Sequence, residues 1–173
     1  MLVKLSMQNF KSFMEKAELD LNATGYEILK DTNKTSDNIL KGALIVGGNA
    51  TGKSTVLKAL KFLLQLLVWQ VNIVPFDYLC LFKESNGKMK LEYEFFINKE
   101  KINYEIECDV KGITKEKLLV SNKERLNRIG QNAVYTSNSN QETSIENLQQ
   151  NQSAIRKVYF DTKFIDDETL MKW

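Results

Sequence analysis

Residues 47–54 read Gly-Gly-Asn-Ala-Thr-Gly-Lys-Ser, which fits the pattern G-x-x-x-x-G-K-[ST]. Each position has a task in holding phosphate. Gly47 and Gly52 permit backbone angles closed to other residues, so the chain can wrap tightly. A wrapped backbone turns its N–H groups inward, through Gly48, Asn49, Ala50 and Thr51, toward phosphate oxygens. Lys53 supplies an ammonium beside the outer phosphates and is the candidate catalytic cation. The Ser54 hydroxyl suits Mg²⁺, a hard ion that prefers oxygen ligands. Such a loop implies a bound nucleotide, with Mg²⁺ as its companion ion.

The loop must leave a strand and open a helix. Ala43, Leu44, Ile45 and Val46 form a short apolar run, which predicts a buried parallel strand. Thr55 to Leu64 is rich in helix formers, and Lys58, Lys61 and Gln65 give it one polar stripe. The expectation is a mostly buried helix whose positive dipole end faces the phosphates.

Composition sets bounds around this site. The chain has 173 residues, a net charge of +2, 43% hydrophobic and 27% charged residues, which describes an ordinary globular domain with no strong field toward nucleic acid or membrane. It contains no histidine, which removes histidine-based triads and histidine-containing zinc sites. Cys80 and Cys108 lack C-x-x-C spacing, and reduced thiols in a cytoplasmic protein are expected. No charged start followed by an apolar block marks a leader peptide, and the most apolar stretch, 56–69, is broken by Lys58, Lys61 and Gln65, so no membrane span is expected.

Along the chain, residues 2–7 alternate as a half-buried strand, and 14–21 alternate again as an antiparallel neighbour. Residues 22–38 read as a long polar loop. From Lys88 a period of two sets in: Leu91, Tyr93, Phe95 and Ile97, then Ile102, Tyr104, Ile106 and Cys108, with 118–120 as a third strand, predict an antiparallel meander. Residues 131–153, crowded with Asn, Gln, Ser and Thr, read as solvated loop, and 154–165 as a helix with strand as the alternative. The chain divides at this level into a phosphate-loop core (1–84), an antiparallel β subdomain (85–137) and a polar loop plus helix (138–173).

Phosphoryl transfer also needs a metal-holding carboxylate, usually at the end of a buried strand. Asp161 and Asp166 are the candidates, and a solvated position near a helix end is the plainer reading of both. Asp109-Val110-Lys111-Gly112 spells D-x-x-G, but its flank is half exposed, and it reads as a hairpin turn. No N-K-x-D guanine-reading motif occurs, so ATP is expected over GTP.

Asn9-Phe10-Lys11-Ser12-Phe13 resembles the N-F-[KR]-S-F opening of ABC-type ATPases of the SMC and RecF branch, and residues 47–55 resemble their G-x-N-x-[ST]-G-K-[ST]-[ST] loop. The chain also resembles bacterial AAA-type ATP-binding proteins of the abortive-infection and OLD-like group, which often carry Asn-Ala before the Ser/Thr-Gly-Lys, as at Asn49-Ala50. The resemblance implies an α/β fold, a P-loop NTPase of ABC-ATPase-like N-terminal lobe type, with a mixed sheet and an antiparallel β subdomain. It implies that Lys11 and Ser12 lie near the ribose or inner phosphates, that Thr55 contacts the α-phosphate and that Asn49 stiffens the loop or approaches the γ-phosphate. The family's Ser-Gly-Gly signature, Asp-Glu strand end and switch histidine have no match here, and Gln152 is a poor match for its metal-contacting glutamine. The likeness therefore covers an N-terminal lobe, and hydrolysis is expected only when a second lobe, a homodimer mate or a partner chain completes the site. The implied setting is phage defence or DNA maintenance, with a nuclease, an effector or DNA as partner. A non-catalytic nucleotide-responsive interaction module and a self-sufficient small phosphotransferase are the alternatives.

Overall fold

The computed structural model describes residues 1–25, 30–68, 74–82, 85–164 and 166–173, with the side chains of 30 and 31 excepted. The middle of the expected 22–38 loop, parts of the 70–88 segment and Ile165 lie outside the described residues. The elements in chain order are β1 (Leu2–Gln8), β2 (Ala17–Asp20), α1 (Lys30–Asn33), α2 (Lys53–Leu67), a 3₁₀ turn (Pro75–Tyr78), β3 (Met89–Ile97), β4 (Glu100–Cys108), β5 (Ile113–Val120), β6 (Lys123–Ile129), β7 (Asn132–Thr136), β8 (Glu142–Ile145), α3 (Ala154–Thr162) and α4 (Glu168–Lys172).

The strands form one 8-stranded sheet in the order β2-β1-β3-β4-β5-β6-β7-β8. Its meander follows from turn chemistry. Asn98-Lys99 and Ser121-Asn122 each place two residues at positive φ (52° and 64°, 49° and 65°), the backbone of two-residue primed turns that match strand twist. β1 lies between β2 and β3, so the sheet runs unbroken across the division expected at 84/85.

One face of the sheet is apolar. Leu5, Met7, Leu91, Tyr93, Ile102, Tyr104, Ile106 and Leu118 are at most 1% exposed and form the core with α2 and α3. The Tyr93 hydroxyl donates to the Ala59 carbonyl at 2.7 Å and so ties sheet to helix. The other face is a lattice of opposite charges. Glu92 and Glu105 stand directly opposite each other in register, an unfavourable pairing of like charges. Lys90 relieves it by bridging both, at 2.6 and 3.1 Å. Lys16 links Glu18 to Glu92, and Lys115 links Glu105 to Glu107.

Three expectations are corrected. The sheet is not mixed: every strand pairing among the described residues is antiparallel. Residues 43–46 are not a buried strand; Leu44 and Val46 are 88% and 77% exposed. An apolar run becomes a strand only with a neighbour to complete its backbone hydrogen bonds, and no described strand lies beside this one. The 131–153 region is not loop throughout, since β7 and β8 extend the sheet there. Ala133, Tyr135 and Ile145 supply the buried positions, while Asn132, Thr143 and Ser144 are exposed and Thr136 half-buried. Helix α2 is also less enclosed than its composition suggests: it buries Val56, Ala59, Phe62, Leu63 and Leu66, while Leu57, Leu64 and Val68 on the opposite side are exposed. The D-x-x-G segment is a turn, as its flank implies, with the Asp109 carboxylate accepting from the N–H groups of Lys111 and Gly112.

On β5, within the sheet, Glu116 is fully buried. It accepts from the Tyr104 hydroxyl at 2.8 Å, from the Ser153 hydroxyl at 2.7 Å, and from the N–H groups of Ala154 and Ile155 at 2.7 and 3.1 Å. A carboxylate from β5 thus caps α3, where both orphan N–H groups and the helix dipole favour an anion. Arg128, opposite it in register on β6, stands 3.6 Å away and donates to the carbonyls of Gly130, Gln149 and Gln152. Gly112 lets the 149–152 segment approach, since a Cβ there would meet the Gln150 carbonyl oxygen at 2.5 Å.

Removing one partner strands the other charge in the interior, at a cost of about 3–5 kcal/mol. Glu116→Ala is therefore expected to lower the unfolding free energy by roughly that amount, read by urea denaturation, with Glu116→Gln losing less. A second prediction concerns acid. Hydrogen bonds from Lys4 and Lys16 hold the Glu18 carboxyl at about 2, below its ordinary 4.5. The stabilisation from this group is present above pH 4.5 and lost as pH falls toward 2. A side-chain NMR titration should show this low midpoint, and Lys4→Gln should move it upward.

Candidate functional site

Residues 47–52 form a curled, exposed loop that feeds α2. The curl is held from inside. The Lys53 ammonium donates back to the Gly47 carbonyl at 2.9 Å and to the Gly48 carbonyl, and the Thr51 hydroxyl donates to Gly48 at 2.9 Å. Ala50 and Gly52 take positive φ, 62° and 90°. Gly52 is needed twice over, because a Cβ at that position would stand 2.6 Å from the tip of the Phe13 ring. The first turn of α2 carries no acidic residue, so the positive end of its dipole is not offset from within the helix. Ser54 is exposed at that turn, with Asn49 at the tip of the loop.

The second part of the site comes from the turn after β1. Asn9 and Lys11 both take positive φ, 50° and 51°, and fold the chain back so that Phe10 pairs with Phe13. Phe10 is fully buried, stacked on Tyr78 at 5.7 Å and edge-on to Phe62 of α2 at 6.4 Å. This packing delivers Ser12 to the helix, where its hydroxyl lies 3.0 Å from that of the buried Thr55. Lys11 lies beside Tyr78, its ammonium 5.6 Å from the ring centre. Residues 10–13 and 47–55 therefore meet in space through the Ser12–Thr55 and Phe13–Gly52 contacts.

A cavity of about 570 Å³ opens at this junction, lined on one side by Lys11, Ser12, Thr55 and Lys58. Its other side is the segment after α2, including Phe76, Asp77 and Phe82. That segment is bonded to the β1 turn through Lys11 N–H to the Tyr78 carbonyl at 2.8 Å and Cys80 N–H to the Asn9 carbonyl at 2.9 Å. Its part in the site escapes sequence reasoning because it has no period and no motif; a run of aromatics around the only proline, Pro75, is the one signal it offers.

Asp161 lies exposed on α3, and Asp166 lies exposed just before α4, so neither ends a strand. Ser54, exposed on the first turn of α2, carries a single hydroxyl oxygen of the kind a hard cation accepts. That suits Mg²⁺, which takes its remaining ligands from phosphates and water. A separate apolar groove of about 470 Å³, between α2, α3 and α4, has no connection to the loop motif. Burial pushes the Cys108 thiol well above its usual range, leaving it inert.

No curated protein matches the chain in a sequence search. The family profile of the AAA ATPase domain matches residues 1–172. With that match spanning nearly the whole chain, and with the β1 turn packed on the phosphate loop and its helix through Phe13–Gly52 and Ser12–Thr55, the chain belongs to the AAA ATPase domain family.

Proposed function

We propose that this chain is the ATP-binding lobe of an ABC/SMC-like ATPase. The observation that carries the reading is the meeting of two motifs far apart in sequence, Ser12 on Thr55 and Phe13 on Gly52, at the N-terminus of α2. The backbone of Gly47, Gly48, Asn49, Ala50, Thr51 and Gly52 cradles the phosphates, Lys53 neutralises the outer charge, and Ser54 contributes an oxygen to Mg²⁺. Thr55, Ser12 and Lys11 hold the inner phosphates and ribose. A Mg²⁺ ion held at Ser54 would supply neutralisation of the phosphate charge.

Hydrolysis depends on a second lobe, a homodimer mate or a partner chain. This is supported by the exposed apolar run at 43–46 and by the uncovered Leu57 and Leu64 of α2 with Val68 at its end, which together offer an apolar segment and a helix face to another layer. The same exposed surface favours a second reading, in which the lobe is a nucleotide-responsive docking module without turnover of its own. A setting in phage defence or DNA maintenance, with a nuclease or DNA as partner, rests on the resemblance of residues 9–13 and 47–55. Two buried thiols, Cys80 and Cys108, suit a reducing cytoplasm.

Two variants test the binding reading by calorimetry with Mg-ATP. Lys53→Ala removes a charge-assisted contact and should weaken binding about ten- to a hundredfold. Equal affinity in the two proteins would remove the proposal. Gly52→Ala forces a side chain into a left-handed backbone and against Phe13, so it should lower stability by about 1–2 kcal/mol and weaken ATP binding in step.

A further inference from the structure

We infer that Phe76 and Phe82 form a stacking wall for the nucleobase, so that the cavity beside the phosphate loop takes a whole purine nucleotide. This inference rests on the nucleotide reading above and extends it to residues that no motif marks. The cavity begins at Thr55 and Lys58, on the first turns of α2, and ends against these two rings. The intervening backbone is fixed. Tyr78 and Cys80 are bonded to the β1 turn, Leu79 bridges to Phe10, and Leu79 and Cys80 are each 3% exposed. The Tyr78 ring is already engaged by Phe10 and Phe62, and its hydroxyl donates to Gln65 at 2.6 Å. Phe76 and Phe82, flanking this anchored stretch, are instead 53% and 56% exposed.

Single exposed apolar residues are common and need no explanation. Two aromatic rings on a pinned strap, sharing one cavity with Lys11, Lys58, Asp77 and the hydroxyls of Ser12 and Thr55, form a different arrangement. Aromatic walls with a few placed polar groups are what ligand pockets use, and every base has a π face to offer. The lysines suit the phosphate and ribose end, and the rings suit the base. Recognition by the face favours the larger purine ring system over a pyrimidine.

The test compares ATP, UTP and inorganic tripolyphosphate on the full chain by calorimetry. The wild type should bind ATP more tightly than UTP, and UTP more tightly than tripolyphosphate. The double variant Phe76→Ala/Phe82→Ala should lose about five- to a hundredfold in ATP affinity, approaching the tripolyphosphate value, while tripolyphosphate binding stays unchanged. Lys53→Ala should weaken all three. Unchanged ATP affinity in the double variant overturns the wall, and so does a parallel loss for tripolyphosphate, which would mark the rings as structural. Equal binding of ATP and tripolyphosphate by the wild type overturns the wall and leaves the phosphate loop standing. Binding of none of the three removes the nucleotide reading and this one with it.

Discussion

Three rings hold the functional end of the molecule together. Phe10 from the β1 turn, Phe62 from α2 and Tyr78 from the following segment pack with centroids 5.1–6.4 Å apart. Each belongs to a different stretch of chain, and each stretch carries something the site needs: Ser12 and Phe13, the phosphate-loop helix, or the far wall of the cavity. Aromatic burial of this kind supplies a large share of core energy together with a defined geometry. The unusual backbone at Asn9 and Lys11 follows from it, since the chain must double back to drive Phe10 inward while leaving Lys11 and Ser12 at the surface of the site. Strain of that sort persists where surrounding packing over-determines it.

The parts of this protein that were legible in its sequence are those with a short period or a fixed spacing. Leu91, Tyr93, Ile102, Tyr104 and Ile106 announce their strands because alternation is a local consequence of the pleat. The loop at 47–54 announces itself because phosphate geometry allows few spacings. Ser12 and Lys11 could be placed only through a family likeness, since nothing local ties residue 12 to residue 55. The run at 43–46 misled because its composition speaks for burial while the described chain provides no covering layer. β7 was hidden by the opposite effect: one solvated face fills a strand with Asn and Thr, leaving only Ala133 and Tyr135 to report the core. Phe76 and Phe82 had no signal beyond the run of aromatics around Pro75, because their setting comes from backbone bonds to a turn more than sixty residues earlier.

The two faces of the sheet handle charge differently. At β5 and β6, Glu116 and Arg128 are withdrawn from water and saturated by hydrogen bonds, which makes the junction with α3 specific. Across β1 to β5, charges stay at the surface and neutralise one another in a chequered array. The first arrangement is a fixed joint between layers. The second keeps a broad sheet face hydrated without giving it a sign, so a polyanion finds no field to follow there.

The inward grip of Lys53 on the Gly47 and Gly48 carbonyls has a consequence for selectivity. The ammonium already possesses partners before any ligand arrives, and those partners set a threshold. A lone phosphate or a sulfate, offering one contact point, gains little by displacing them. Only an anion that engages the curled amides and the helix end together repays the exchange. On the proposed nucleotide reading, this grip makes the loop self-quenched, answering to a chain of linked phosphates rather than to a single small anion.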